Sequence, residues 1–180
     1  QPLYDEALRP QLRFSQKRGW NNDPNGMVYH DGIWHFFFQH NPVALPWGNM
    51  TWAHGVSTDL VHWVEQGDKL HIDELGQMWS GSGVVDWKNT TGFQTGDEPP
   101  LVLIYTNAGG YGLWSKGKPF TQGIAYSNDR GRTFTMHKGN PIIENWGRDP
   151  KLFWYKPGKH WVIAVYTQVR EEGKEKPMQT

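Results

Sequence analysis

Asp23-Pro24-Asn25-Gly26-Met27-Val28-Tyr29-His30-Asp31-Gly32-Ile33-Trp34-His35-Phe36-Phe37-Phe38-Gln39 has a near copy further along, at Asp149-Pro150-Lys151-Leu152-Phe153-Trp154-Tyr155-Lys156-Pro157-Gly158-Lys159-His160-Trp161-Val162-Ile163-Ala164-Val165-Tyr166. Each copy reads as Asp-Pro, a short strand, a glycine turn and an aromatic-aliphatic strand. Asp-Gly between apolar runs is a strong local signal for a tight hairpin. A second echo pairs Ser57-Thr58-Asp59 before Trp63 with Ser127-Asn128-Asp129 before Phe134. Between the two Asp-Pro copies lies Ser80-Gly81-Ser82-Gly83-Val84-Val85, followed by Pro100 to Thr106, which resembles the same unit with a longer turn.

The three starts, near residues 23, 80 and 149, lie 57 and 69 residues apart. A unit of that length holding four strands is a propeller blade. Further strands are predicted at Trp52–Ser57, Gly83–Asp86, Leu101–Thr106, Gly123–Ser127, Thr133–His137, Lys151–Tyr155 and His160–Thr167, with frequent Gly and Pro between them and little helical periodicity. The fold class is therefore all-β. In a propeller the first strand of each blade lines the axis, so residues at equivalent starts converge on one cavity. The competing arrangement is a β-sandwich with two chance hairpins. About two and a half blades fit into 180 residues, whereas a propeller has at least four. Residues 1–180 are accordingly read as the N-terminal portion of one propeller domain, needing the remainder of the polypeptide or a companion chain for closure. The chain ends in a polar run, Arg170-Glu171-Glu172-Gly173-Lys174-Glu175-Lys176.

Composition narrows the function. Lys+Arg and Asp+Glu are 18 each, which argues against nucleic acid, whose binding rests on a basic surface. No run approaches the roughly 20 apolar residues of a membrane helix. Cysteine is absent, and the eight histidines show no His-Glu-x-x-His spacing; no metal or cofactor is expected. The aromatic content is high, with 11 Trp, 7 Tyr and 8 Phe. Trp packs well between sheets, and it also stacks on the apolar face of a sugar ring.

Asn22-Asp23-Pro24-Asn25-Gly26 is by itself a good turn sequence. In context it resembles something more specific. Trp20 to Gly26 is similar to the Trp-Met-Asn-Asp-Pro-Asn-Gly signature of glycoside hydrolase family 32, the invertase, levanase and inulinase group. Further blocks follow in that family's order. Phe37-Phe38-Gln39 resembles Phe-Tyr-Gln, Trp47-Gly48 matches Trp-Gly, and Trp52 to Ser57 resembles Trp-Gly-His-Ala-x-Ser. Trp79-Ser80-Gly81-Ser82 resembles Phe-Ser-Gly-Ser, and Arg148-Asp149-Pro150 matches Arg-Asp-Pro. The resemblance runs from about Arg9 to Tyr166. Departures are Asn21 for the usual Met, Trp79 for Phe, and Arg13 where His is common.

The resemblance implies a five-bladed propeller and retaining hydrolysis of terminal β-D-fructofuranosyl linkages in sucrose, inulin or levan. It implies that Asp23 attacks the anomeric carbon and that Asp149 binds fructose hydroxyls. Arg148 is expected beside both carboxylates, keeping them ionised as a nearby cation does. Asn22, Gln39 and Ser80 are expected to hydrogen-bond the sugar, and Trp20, Trp47 and Trp79 to wall the pocket. Retaining hydrolysis uses two carboxyl groups about 5–5.5 Å apart, one ionised and one protonated; the repeat places Asp23 and Asp149 at equivalent blade starts. The family's proton donor is a Glu in a Glu-Cys-Pro-like block, and nothing after Asp149 matches it. Glu171 and Glu172 read as solvated charge. This chain alone is therefore expected to have little or no fructosidase activity. Fructosyl transfer within the same family, and a non-catalytic sugar-binding fragment, are the alternatives. The family's polymeric substrates imply an extracellular or periplasmic setting.

Overall fold

The computed structural model describes residues 4–10, 12–144 and 147–167, so the terminal charged run lies outside the described residues. Eleven strands and no helix occur among them. In chain order they are β1 Trp20–His30, β2 Ile33–Asn41, β3 Thr51–Ser57, β4 Val64–Leu70, β5 Gln77–Val85, β6 Leu101–Ala108, β7 Thr121–Ser127, β8 Thr135–Met136, β9 Ile143–Glu144, β10 Arg148–Tyr155 and β11 His160–Tyr166.

They form three antiparallel sheets. The first has the order β1-β2-β3-β4, the second β5-β6-β7-β8 with β9 also on β7, and the third is the pair β10-β11. These are two propeller blades and the first half of another, the architecture predicted. The Asp31-Gly32 hairpin has φ of 47° and 82° at its two central residues, the backbone of the tight turn that suits two right-twisted strands. The second echo is structural too. Ser57 Oγ caps the end of β3 by accepting the Leu60 amide at 2.8 Å, and Ser127 Oγ accepts the Gly131 amide at 2.8 Å after β7. Leu60 and Arg130, each three residues past its serine, share a left-handed φ of 66° and 59°. The third strand of each full blade thus ends on the same device.

β6 explains how the sheets stack. Its run Leu101-Val102-Leu103-Ile104-Tyr105 is apolar throughout because both faces are covered. Alternation sends Leu101, Leu103 and Tyr105 toward the first sheet, among Val28, Phe37, Trp52 and Leu70. Val102 and Ile104 face the third sheet, with Leu152, Trp161 and Ile163. Each of these aliphatic side chains contributes about 1.5–3 kcal/mol when fully buried. β4 was not predicted. Its sequence, Val64-Glu65-Gln66-Gly67-Asp68-Lys69-Leu70, is polar because it is an edge strand, and only Leu70 reaches the core.

Candidate active site

The three axial strands β1, β5 and β10 each carry a bulge at their site residue. Opposite β2, Asn21 pairs with His40 and Pro24 with Phe38, so β1 advances three residues against two around Asn22-Asp23. In β5 the extra residue is Ser80, between Trp79 paired to Thr106 and Gly81 paired to Tyr105. In β10 the slip falls at Asp149-Pro150, between Arg148 and Lys151. A bulge re-aims a side chain without ending the strand, and proline is tolerated there because the ladder is already interrupted. The sequence predicted strands starting after these residues; the structure puts the residues inside longer strands.

Short bonds sew the axial strands together. Asn25 in β1 is buried, and its Oδ1 accepts the Gly81 amide of β5 at 3.3 Å. At the equivalent place in β5, buried Ser82 donates to the Pro150 carbonyl at 3.0 Å and accepts the Leu152 amide at 2.9 Å. Asp23, Ser80 and Asp149 are therefore set side by side on adjacent strands.

Ser80 Oγ donates to Asp23 Oδ2 at 2.7 Å, a charge-assisted geometry that fixes which way the carboxylate points. Arg148 Nε lies 3.6 Å from Asp149 Oδ2, both side chains nearly half exposed. Partial burial pushes the Asp149 carboxyl above its ordinary value; Arg148 pulls it down and the Asp23 charge pushes it up again. This corrects one expectation. Arg148 does sit beside Asp149, yet desolvation and the second carboxylate outweigh it, so the net shift of Asp149 is upward. The Asp23 charge acts on Asp149, so the two carboxylates stand within electrostatic reach of each other.

Of the predicted aromatic wall, Trp47 and Trp79 meet edge to face at 5.8 Å. Tyr111 completes it, 4.7 Å from Trp79 and 6.2 Å from Trp47, and Phe120 lies 5.0 Å from Trp79. Asn41 braces the segment leading to Trp47, donating to the Pro46 carbonyl at 2.9 Å. The Trp52 indole, fully buried, donates to the Trp79 carbonyl at 3.0 Å. Trp20 stands apart from this group: its indole donates to Asn22 Oδ1 at 2.9 Å, orienting that amide. Gln39 is buried in β2 and donates to the Met78 carbonyl at 2.7 Å, joining the first two sheets.

Sequence reasoning missed Tyr111 and Phe120, although Gly109-Gly110 and Gly112 mark the loop that brings them in. It missed Thr106 and Gln122 as well. Thr106 Oγ1 accepts the Asp149 amide at 3.0 Å and donates to Gln122 Oε1 at 2.9 Å. No local pattern announces such a pair.

Comparison with known proteins agrees with this geometry. Residues 13–176 match the glycosyl hydrolases family 32 N-terminal domain. A levanase of Bacillus subtilis (strain 168) is 51% identical over 166 residues, which cover 90% of this chain and 24% of the levanase. The crystal structure of exo-inulinase from Aspergillus awamori superposes with a TM-score of 0.81 at 37% identity, covering 91% of this chain and 36% of that one. A fructofuranosidase from Schwanniomyces occidentalis complexed with fructose gives 0.82 at 38% identity, covering 93% and 33%. The chain thus spans roughly a quarter to a third of the length of these relatives, at the level of 24–36%. With its axial bulges, paired aspartates and aromatic wall, the chain belongs to glycosyl hydrolases family 32.

Proposed function

We propose that the polypeptide carrying this chain cleaves terminal β-D-fructofuranosyl units from sucrose, inulin or levan, with retention through a covalent fructosyl-enzyme. One observation carries this reading: Asp23 presents a carboxylate oriented by Ser80 at 2.7 Å, within electrostatic reach of Asp149, which Arg148 flanks. A nucleophile must hold one oxygen on the line of attack, and a hydroxyl donor on the other oxygen fixes the plane of the carboxylate and leaves Oδ1 for attack. Asp23 attacks the anomeric carbon and the glycosidic oxygen departs with a proton from an acid on the remainder of the propeller. Asp149 holds fructose hydroxyls, and Arg148 keeps its carboxyl from rising further. Asn22, Gln39 and Ser80 serve the sugar's polar edge. Trp47, Trp79 and Tyr111 exclude water from its apolar face. Trp20 holds Asn22 in place. Relatives named levanase, exo-inulinase and invertase support the substrate class, and the extracellular exo-inulinases support a secreted setting.

The test is the configuration of the first sugar released. With the full-length polypeptide and sucrose, early NMR spectra are expected to show fructose leaving with its anomeric configuration kept. Initial inversion, or no turnover of sucrose, inulin and levan, overturns the proposal.

A further inference from the structure

We infer that Thr106 and Gln122 are positioning residues that hold Asp149 in its working conformation, forming a buried clip donated by the preceding blade. The inference rests on the proposed fructosidase site and deepens it. Thr106 and Gln122 are paired across β6 and β7, and both are 0% exposed. Gln122 Nε2 donates to the Gly147 carbonyl at 2.8 Å. Together with the Asp149–Thr106 and Thr106–Gln122 bonds, this brackets the segment Gly147-Arg148-Asp149 from both ends.

The direction of every bond is fixed by chemistry. The Asp149 amide can only donate, so the Thr106 oxygen accepts. The hydroxyl proton then points to the one acceptor of the Gln122 amide, whose nitrogen faces Gly147. The clip has something to hold: Asp149 has φ of 59°, a left-handed conformation that a residue with a Cβ adopts at some cost and keeps only when its surroundings over-determine it. Both clip side chains are fully buried, with their polar atoms turned to each other and to the Gly147-Arg148-Asp149 main chain. Their side-chain bonds reach the site through the Gly147-Arg148-Asp149 main chain.

The experiment uses the full-length polypeptide with Thr106→Val, Thr106→Ser and Gln122→Asn, each also in an Asp149→Asn background. Thr106→Val keeps the shape and removes the hydroxyl; kcat is expected to fall about 10- to 100-fold with little change in KM. Thr106→Ser restores most of it. In the Asp149→Asn background the Thr106→Val loss is expected to shrink to under about twofold, because two residues acting as one unit are not additive. Exchange of the Asp149 amide hydrogen, followed by NMR, is expected to quicken at least tenfold in Thr106→Val and in Gln122→Asn, while other β10 amides stay protected. Unchanged protection of that amide overturns the inference whatever the activity. So does an equal loss of kcat with and without the Asp149 carboxylate, the mark of general destabilisation. If Thr106→Val does not fold, Gln122→Asn decides by the same two readouts. A wild-type polypeptide inactive on every fructoside sinks the fructosidase proposal, and the amide exchange still judges the clip.

Discussion

Asp23 and Asp149 open equivalent strands, each beside a proline and inside a bulge, yet they are held in opposite ways. Asp23 is held by its carboxylate, through the Ser80 hydroxyl at 2.7 Å. Asp149 is held by its backbone, through the Thr106 hydroxyl at 3.0 Å, and keeps a left-handed φ of 59°. The arginine next to it stands 3.6 Å from its carboxylate, close enough for electrostatics and too far for a hydrogen bond. One aspartate is aimed, the other is mounted. The repeat supplies the place, and the neighbours in the second blade decide what each carboxylate is free to do. A group that attacks one atom benefits from a fixed oxygen. A group that grips hydroxyls benefits from a fixed main chain and an unencumbered carboxylate.

The largest expected effect breaks that symmetry most plainly. Asp23→Ala in the full-length polypeptide is expected to lower kcat at least about 10³-fold, since the proposed covalent intermediate forms on Asp23. Asp149→Ala is expected to cost less, about 10²-fold, as the loss of one transition-state contact. Steady-state kinetics on sucrose measure both; equal losses would make the two aspartates a single unit and end the distinction. Ser80→Ala should lower kcat about tenfold, the worth of one hydrogen bond to a charged group, and leave the fold's melting temperature nearly unchanged. A kcat untouched by that change would mean that Asp23 needs no aiming.

The smallest effect is a matter of pH. Asp149 already lies above the ordinary carboxylate value, from burial first, with Arg148 opposing. Arg148→Gln removes the opposing cation, so the Asp149 carboxyl rises further. If Asp149 works ionised, the acid limb of the kcat/KM profile should move to higher pH, by less than about one unit given that both side chains are half solvated. Movement to lower pH would show that Arg148 does not stabilise that charge.

Much of this was legible in the residues. The two Asp-Pro copies located the first and third axial strands, and Ser80-Gly81-Ser82-Gly83 located the second. Asp31-Gly32 and the paired Ser-x-Asp turns marked where strands end, because their φ values or hydroxyl caps are written into residue type. What stayed hidden depends on partners. The polar edge strand Val64–Leu70 has no apolar alternation to read. A bulge is defined by the strand across from it, so nothing within Asn22-Asp23 alone shows that one residue is surplus. Thr106 and Gln122 lie 16 residues apart in sequence and meet only because β6 and β7 pair in one register. The direction in which Asp149 shifts is a balance of burial against two nearby charges, and a sequence carries no distances.

The surplus residue in each axial strand also sets how these strands can vary. Side chains alternate faces with period two, so one extra residue reverses their phase until a second restores it, as the two slips of β1 do, between Asn21 and Pro24 and between Asn25 and Val28. Trp20 to Asp23, around the first slip, are the residues proposed to meet a sugar; beyond it, Gly26 and Val28 pack with Phe37 and Leu103. The two stretches are mechanically one strand and combinatorially two. New specificities can be tried at the start of the strand while the interior keeps its fit, provided both slips keep their places.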